Sequence, residues 1–256
     1  MTFTGAVGAL CMLPLRAIIA ASVALGIHPN VLTLTGVLIN VLAAWALAVD
    51  QFVLAGIIMI VANIFDFIDG KVAHITGTQS AFGAFWDSTL DRFSDLALFT
   101  GLIWLYSTLD RQGYVLIATL TLIFSIMTSY ARARAESLIE KCKVGFMERP
   151  ERIVLFMIGA FTDRMAAVLW VILVLSIVTV ANRIYYTYLV LNQRAMPSTS
   201  GPLGWLRRAF FWRDERATLA YDLWVMAILA FVWIVPPEWL RDPTATGAGL
   251  LGYVLR

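Results

Sequence analysis

Hydrophobic positions in this chain come in long unbroken runs, separated by short polar breaks, and almost nowhere alternate with polar ones. Runs at 31–49, 52 to about 73, 81 to about 106 and 114 to about 130 each predict a membrane-crossing helix. About 20 apolar residues are enough to cross the hydrocarbon core of a bilayer. The stretch 152–188 is too long for one span and is predicted to divide at Thr162-Asp163-Arg164. The breaks carry turn chemistry, with His28-Pro29-Asn30 before the first span and Asp50-Gln51 between the first two. Residues 5–27 are apolar but interrupted by Pro14 and Arg16, which predicts a helix lying in the membrane interface. They lack the basic start and small-residue cleavage site of a secretory signal, so they are expected to stay in the mature protein.

Beyond Gln193 the pattern changes. Pro197-Ser198-Thr199-Ser200-Gly201-Pro202 reads as a linker. Arg207, Arg208, Arg213 and Arg216, interleaved with Trp205, Phe210, Phe211 and Trp212, suit an anionic membrane surface. A seventh apolar run at 218–235 starts near Asp222 and stops at Pro236-Pro237, which predicts an extra C-terminal membrane helix. The expected architecture is an all-α membrane protein in three parts. These are an N-terminal interfacial helix (1–30), a six-span helical bundle (31–193), and a tail (194–256) with linker, basic aromatic segment and seventh hydrophobic helix. No internal repeat is visible.

Composition agrees with this pattern and excludes a soluble domain. Of 256 residues, 60% are hydrophobic and 14% charged, with a mean hydropathy of +0.80. Soluble domains run about 45–50% apolar and about 25% charged. The formal charge of +2 says little by itself, and no nucleic-acid partner is expected. Where the charges sit says more. With the N-terminus in the cytoplasm, the inner side carries Lys71, Arg132, Arg134, Lys141, Lys143, Arg149, Arg152, Arg183 and Arg194. The outer loops of the six-span core then hold only Arg111 and Arg164. That asymmetry follows the positive-inside pattern and predicts a cytoplasmic N-terminus and active site. The expected location is a bacterial or archaeal cell membrane. Cys11 and Cys142 lie far apart and form neither a disulfide framework nor a Cys/His metal spacing.

Against this apolar background one concentration of charge stands out. Asp66 and Asp69 are three residues apart, and Asp87 and Asp91 four apart, so each pair projects from one helix face. Gly70 and Gly83 border the reversal that would bring the two pairs together at the cytoplasmic end of spans two and three. An ionised aspartate near the bilayer centre costs about 2.5–3.5 kcal/mol, and four of one sign also repel one another. Lys71 and Arg92 do not obviously neutralise them. For any single aspartate, a capping role or an ion pair with Lys71 or Arg92 competes. All four at this spacing favour hard divalent cations, Mg²⁺ or Mn²⁺, which take carboxylate oxygens. Several carboxylates can hold two such ions roughly 3.5–4 Å apart, a geometry suited to displacement at phosphorus.

These residues resemble the signature of the CDP-alcohol phosphotransferase family, DxxDGxxAR, eight residues, then GxxxDxxxD. Asp66, Asp69, Gly70, Ala73, Gly83, Asp87 and Asp91 match, and His74 stands where the family has arginine. The resemblance covers about residues 10–190, including a Pro29-Asn30-x-x-Thr33 entry to the first span, and leaves the tail outside. It implies transfer of a substituted phosphate from a CDP-linked lipid such as CDP-diacylglycerol to a hydroxyl acceptor, with release of CMP. It also implies a homodimer. By the same resemblance Asp66, Asp69 and Asp87 ligate the metal ions, and Asp91 is the general base that also touches metal. Gly70, Ala73, His74 and Gly83 would line the CDP-lipid pocket, with Asn30, Thr33 and Ser80 as further contacts. Histidine is shorter than arginine and lacks its permanently charged fork, so nucleotide binding is where this chain departs from the pattern. Asp95, one turn beyond Asp91, is either a supporting carboxylate or a partner for Arg92.

The second clue is basic. Ser129-Tyr130-Ala131-Arg132-Ala133-Arg134-Ala135-Glu136 is followed by Cys142-Lys143 and by Glu148-Arg149-Pro150-Glu151-Arg152. Arginine forks and a lysine at a helix mouth suit an anionic, phosphate-bearing acceptor. The block resembles that of the phosphatidylinositol phosphate synthase branch and its archaeal-lipid relatives, which implies inositol phosphate as the acceptor. Arg134, Lys143, Arg149 and Arg152 are then candidates to hold its phosphate. The same basic residues also satisfy the positive-inside rule, and Glu136, Glu148 and Glu151 offer them structural partners. Glycerol phosphate is the competing acceptor. A cation transporter, or a family relative without catalysis, are the readings from other classes. A transporter predicts acidic residues spread through the bilayer depth, whereas here they cluster at one end.

Overall fold

The computed structural model describes residues 15–196, 204, 210–212 and 218–245, and all regular structure among them is helical. The elements are α1 (Leu15–Ala24), α2 (Pro29–Ala48), α3 (Phe52–Thr76), α4 (Ala81–Thr108), α5 (Gln112–Glu136), α6 (Arg149–Thr162), α7 (Met165–Leu191), α8 (Leu219–Ile234) and α9 (Pro237–Leu240). The chain divides into two compact units, Met1–Gly101 and Leu102–Arg256.

In the first unit, α2 starts where His28-Pro29 predicts it. The His28 ring accepts a hydrogen bond from the Asn30 amide at 3.2 Å, and Pro29 occupies the first turn, where no amide partner is needed. Asp50 takes a left-handed conformation (φ 62°) and reverses the chain into α3. The two helices approach closely at Gly36, where a Cβ would lie 3.3 Å from the Ala62 carbonyl oxygen. Gly101 of α4 sits tighter still, directly against the Ala44 carbonyl. α3 ends at Gly77, whose φ of 65° allows its amide to turn back to the Ala73 carbonyl. The side chain of Ser80 accepts from the Gly83 amide at 3.0 Å and starts α4. α1 packs Ile19 against Leu32, Ile68 and Val72, which fixes it beside the ends of α2 and α3.

In the second unit, α5 runs beside α7, and α6, α8 and α9 also touch α7. The predicted division of the 152–188 stretch is present. α6 stops at Asp163 (φ 52°), and α7 begins two residues later. α7 carries a buried polar stripe, Ser176, Thr179, Asn182 and Arg183, at helical spacing.

Among the described residues four helices, α2, α3, α5 and α7, are long and apolar enough to cross a membrane, and the protein is an integral membrane protein. The other helices fall outside that group for separate reasons. α4 has 28 residues, but Asp87, Asp91, Arg92 and Asp95 interrupt it, and its longest stretch free of charge is 96–108. α6, with 14 residues, reaches about 21 Å. α8, with 16, reaches about 24 Å. Both are shorter than the hydrocarbon thickness of about 30 Å. α1 is shorter again, at about 15 Å. In the tail, the predicted linker at 197–202 and Trp205, Arg207, Arg208, Arg213 and Arg216 lie outside the described residues. So do residues 1–14, the start of the expected interfacial helix.

Candidate functional site

Asp66 lies on α3, and Asp87 and Asp91 on α4; one carboxylate oxygen from each falls within 4.8 Å of the others. All three side chains are half-buried. The helices converge here because the chain reverses between Gly77 and Ser80, only a few residues beyond the last turn of α3. A divalent ion that holds its oxygens at about 2.0–2.6 Å brings any two of them within about 4–5 Å of each other. The trio fits that demand. Without a cation it is an unfavourable crowding of like charge at the edge of an apolar helix pair.

Asp69 is placed differently. It is 6% exposed, and its Oδ2 accepts a hydrogen bond from Thr33 Oγ1 at 2.5 Å, outside the close trio. It remains near enough to Asp87 and Asp66 to feel their charge. Thr33, which the sequence suggests as a nucleotide contact, thus spends its hydroxyl on orienting an aspartate. Arg92 lies 3.6 Å from Asp91, where it offsets part of the negative charge. Asp95 is 4% exposed. Lys71 lies over the Phe67 ring, 5.5 Å from its centre.

The positions expected to line a donor pocket also gather in the first unit. Gly70 is exposed, and a Cβ there would meet nothing within 4 Å, so packing does not require a glycine. Gly83 lies beside Asn30 and Ser80, whose Oδ1 and Oγ atoms would be 3.7 and 3.2 Å from an added Cβ. The Trp86 indole donates to the Asn30 carbonyl at 3.3 Å, a tie between α4 and the start of α2 that no motif signals. Ala73 is half-buried, and His74 is exposed on the last turn of α3.

The basic block lies in the second unit, where its members have unlike surroundings. Arg132 bridges Glu136 at 3.1 Å and Glu148 at 3.0 Å. Arg134 is exposed and donates to Ser137 Oγ. Lys143 is exposed, and Arg149 is half-buried at the start of α6. Arg152 is 2% exposed and donates to Thr128 Oγ1 at 3.1 Å. The residue at the centre of the block is Arg183, also 2% exposed. It donates to the Val144 carbonyl at 3.0 Å, to the Thr128 carbonyl, and to Glu148 at 3.4 Å. In the sequence Arg183 appears only as one more inner-side charge. Its signal was the spacing Ser176, Thr179, Asn182 and Arg183, one polar face inside an apolar run.

Comparison with known proteins bears on this geometry. The model of the CDP-alcohol phosphatidyltransferase family matches residues 26–182. An archaetidylinositol phosphate synthase of Pyrococcus horikoshii is 38% identical over 173 residues, 67% of this chain and 89% of that protein. A phosphatidylinositol phosphate synthase of Mycobacterium tuberculosis is 33% identical over 171 residues, 62% of this chain and 79% of that protein. The crystal structure of the M. tuberculosis phosphatidylinositol phosphate synthase with CDP-DAG bound superposes with a TM-score of 0.64 at 28% identity, covering 68% of this chain and 93% of that one. The structure of the same synthase with manganese and citrate gives 0.63 at 26% identity, covering 73% and 96%. The chain belongs to the CDP-alcohol phosphatidyltransferase family.

Proposed function

We propose that this member of the family transfers a phosphatidyl group from a CDP-linked lipid, CDP-diacylglycerol, to a hydroxyl of inositol phosphate, releasing CMP. The convergence of Asp66, Asp87 and Asp91 within 4.8 Å carries the reading, because it supplies a divalent-cation site of the kind phosphoryl chemistry uses. Asp66, Asp69 and Asp87 would hold Mg²⁺ or Mn²⁺, two ions in all, with Asp91 also touching metal. The manganese in the mycobacterial structure supports that choice. When bound, the ions offset the negative charge that builds on the donor's phosphates. Asp91 removes the proton from the acceptor hydroxyl. Its side chain is 14% exposed and lies 3.6 Å from Arg92, placed to meet a hydroxyl at the site. Gly70, Ala73, His74 and Gly83, with Asn30 and Ser80, leave space and polar contacts for the nucleotide. Thr33 acts through Asp69.

Among the basic residues, the exposed Arg134 and Lys143, with the half-buried Arg149, form the proposed seat of the acceptor phosphate, and the fourth candidate, Arg152, is 2% exposed and donates to Thr128 instead. Two relatives named as inositol phosphate lipid synthases support inositol phosphate over glycerol phosphate. The cytoplasmic placement of the N-terminus and site follows from the inner-side excess of Lys and Arg. On this reading α4 and α6 complete six spans, α1 lies in the interface, α8 adds a membrane helix, and two copies pair.

Reconstitution with CDP-diacylglycerol and Mg²⁺ or Mn²⁺, followed by CMP release against a panel of acceptors, tests the proposal. Release with inositol phosphate is expected. No release with any acceptor overturns the reaction, and release with glycerol phosphate alone overturns the acceptor.

A further inference from the structure

The loop at 141–148, between α5 and α6, has no regular structure, yet it is held at four points along its length. The Cys142 amide donates to Glu136 Oε1 at 3.2 Å, and the Val144 carbonyl accepts from Arg183 at 3.0 Å. The Gly145 amide donates to the Trp212 carbonyl at 3.0 Å, and the Met147 amide donates to Thr179 Oγ1 at 3.1 Å. Three of these partners come from α5 and α7. Trp212 comes from the tail, well beyond residue 182, where the family match ends.

The tail contact is extensive. Phe146 packs its ring edge-on to Trp212, with centres 5.1 Å apart, and lies 5.6 Å from Tyr221. Trp212 meets Trp224 edge-on at 6.0 Å, and the Tyr221 hydroxyl donates to Glu151 Oε1 at 3.1 Å in the first turn of α6. Asn182 donates to the Phe210 carbonyl. Phe211 and Trp212 are 8% and 6% exposed. The loop's shape also depends on Gly145, whose φ of 93° suits glycine and whose missing Cβ leaves room for Thr179.

We infer that the tail is a clamp that positions this loop, with Trp212 as a positioning residue for acceptor binding. The inference rests on the reading that Lys143 and Arg149 meet the acceptor phosphate. Lys143 lies between the pinned residues Cys142 and Val144, and Arg149 follows Glu148, whose carboxylate is held by Arg132 and Arg183. Ordering an irregular loop costs conformational entropy. If the tail bears that cost beforehand, the acceptor binds a site already in shape. Trp212 touches no reacting atom and acts only through the loop.

The test uses the full chain, with Trp212→Ala and Trp212→Phe compared with wild type. Amide hydrogen exchange at 142–148 is read alongside CMP release at varied inositol phosphate and CDP-diacylglycerol. Trp212→Ala is expected to speed exchange in the loop and raise the acceptor KM roughly five- to tenfold. The donor KM should stay unchanged, and Trp212→Phe should recover most of the loss. Unchanged exchange at Gly145 and Met147 overturns the clamp, and faster exchange with unchanged acceptor KM overturns its positioning role. Equal rises in both KM values would mean general loosening and also overturn it. If wild type releases no CMP with any phosphorylated polyol, the functional reading fails, whereas faster exchange confined to 142–148 in Trp212→Ala still supports the clamp.

Discussion

Thr33 on α2 donates its hydroxyl to Asp69 on α3 at 2.5 Å, so the helix before the signature fixes the orientation of one of its four aspartates. Both residues are buried, and Asp69 lacks ready access to water as a replacement partner. A hydrogen bond to a charged group contributes about 1.5–3 kcal/mol, and a buried carboxylate stripped of it loses still more. Thr33→Val should therefore lower both thermal stability and Mn²⁺ affinity, while Thr33→Ser, which keeps the hydroxyl, should restore both. Titration of Mn²⁺ by its paramagnetic signal reads the second effect. Wild-type affinity in Thr33→Val would show that Asp69 does not contribute to the metal site.

Asp91 is assigned to proton removal, and that role separates from metal holding. Asp91→Asn keeps the shape and one oxygen for an ion but cannot take a proton. Turnover should fall at least about 10²-fold, with CDP-diacylglycerol binding still measurable. Asp66→Asn and Asp87→Asn should instead weaken Mn²⁺ binding first. Turnover in Asp91→Asn close to wild type would remove the residue from that role.

Two glycines make opposite predictions. At Gly101 an added Cβ drives into the Ala44 carbonyl, backbone against backbone, with no flexible end to give way. Gly101→Ala should cost about 1–3 kcal/mol, seen as a lower melting temperature. At Gly70 an added Cβ meets nothing, and alanine is the better helix former by about 0.5–1 kcal/mol. Gly70→Ala should melt no lower than wild type yet raise the KM for CDP-diacylglycerol. If it leaves that KM unchanged, Gly70 is not leaving space for the donor.

The carboxylate cluster and most helix boundaries were legible in the sequence because each depends on local rules. The i, i+3 and i, i+4 spacings put Asp66 with Asp69 and Asp87 with Asp91 on shared faces, and Asp163 marks the break that divides α6 from α7. The internal ordering of the cluster was not legible. That Asp69 turns to Thr33 while Asp66 joins Asp87 and Asp91 depends on how α2 packs against α3, at a separation of 36 residues for the hydrogen bond. The basic block was opaque for the same reason. Its charges look alike in sequence, but Arg132 and Arg183 are committed to Glu148, and Arg134 and Lys143 are exposed. The tail's grip on Gly145 spans still more chain, and no pattern in the sequence announces it.

Cys142 gives a pH-dependent prediction in the same loop, outside the spans. Burial, with the full side chain out of solvent, raises its thiol above the ordinary value of 9.0, outweighing the opposite pull of Arg183. A folded-state value above the unfolded one means the folded chain keeps its proton longer. The associated stability is complete below pH about 9 and is lost as pH rises through the folded value. Cys142 in the folded protein should therefore resist iodoacetamide at pH 8 and react at an ordinary rate once unfolded. Rapid labelling at Cys142 of the native protein, located by peptide mapping to separate it from Cys11, would contradict the burial of this thiol.

Arg183 and Lys143 separate a structural cation from a substrate-facing one. Arg183 is buried, and its guanidinium serves the Val144 carbonyl, the Thr128 carbonyl and Glu148 at once, so it joins α5, α7 and the loop. Arg183→Met would leave two buried carbonyls without that donor. Glu148 would keep only its 3.0 Å contact with Arg132 from this pair of arginines. Each buried acceptor left unsatisfied costs about 1–3 kcal/mol, so Arg183→Met should melt well below wild type. Arg183→Lys, with one point charge in place of a fork, should recover only part of that loss. Lys143 is exposed, and Lys143→Ala should leave melting unchanged while raising the KM for inositol phosphate several-fold. The two variants together decide the division of labour. If Lys143→Ala lowers melting and Arg183→Met does not, the buried network is not what holds the loop, and the cation roles assigned here are reversed.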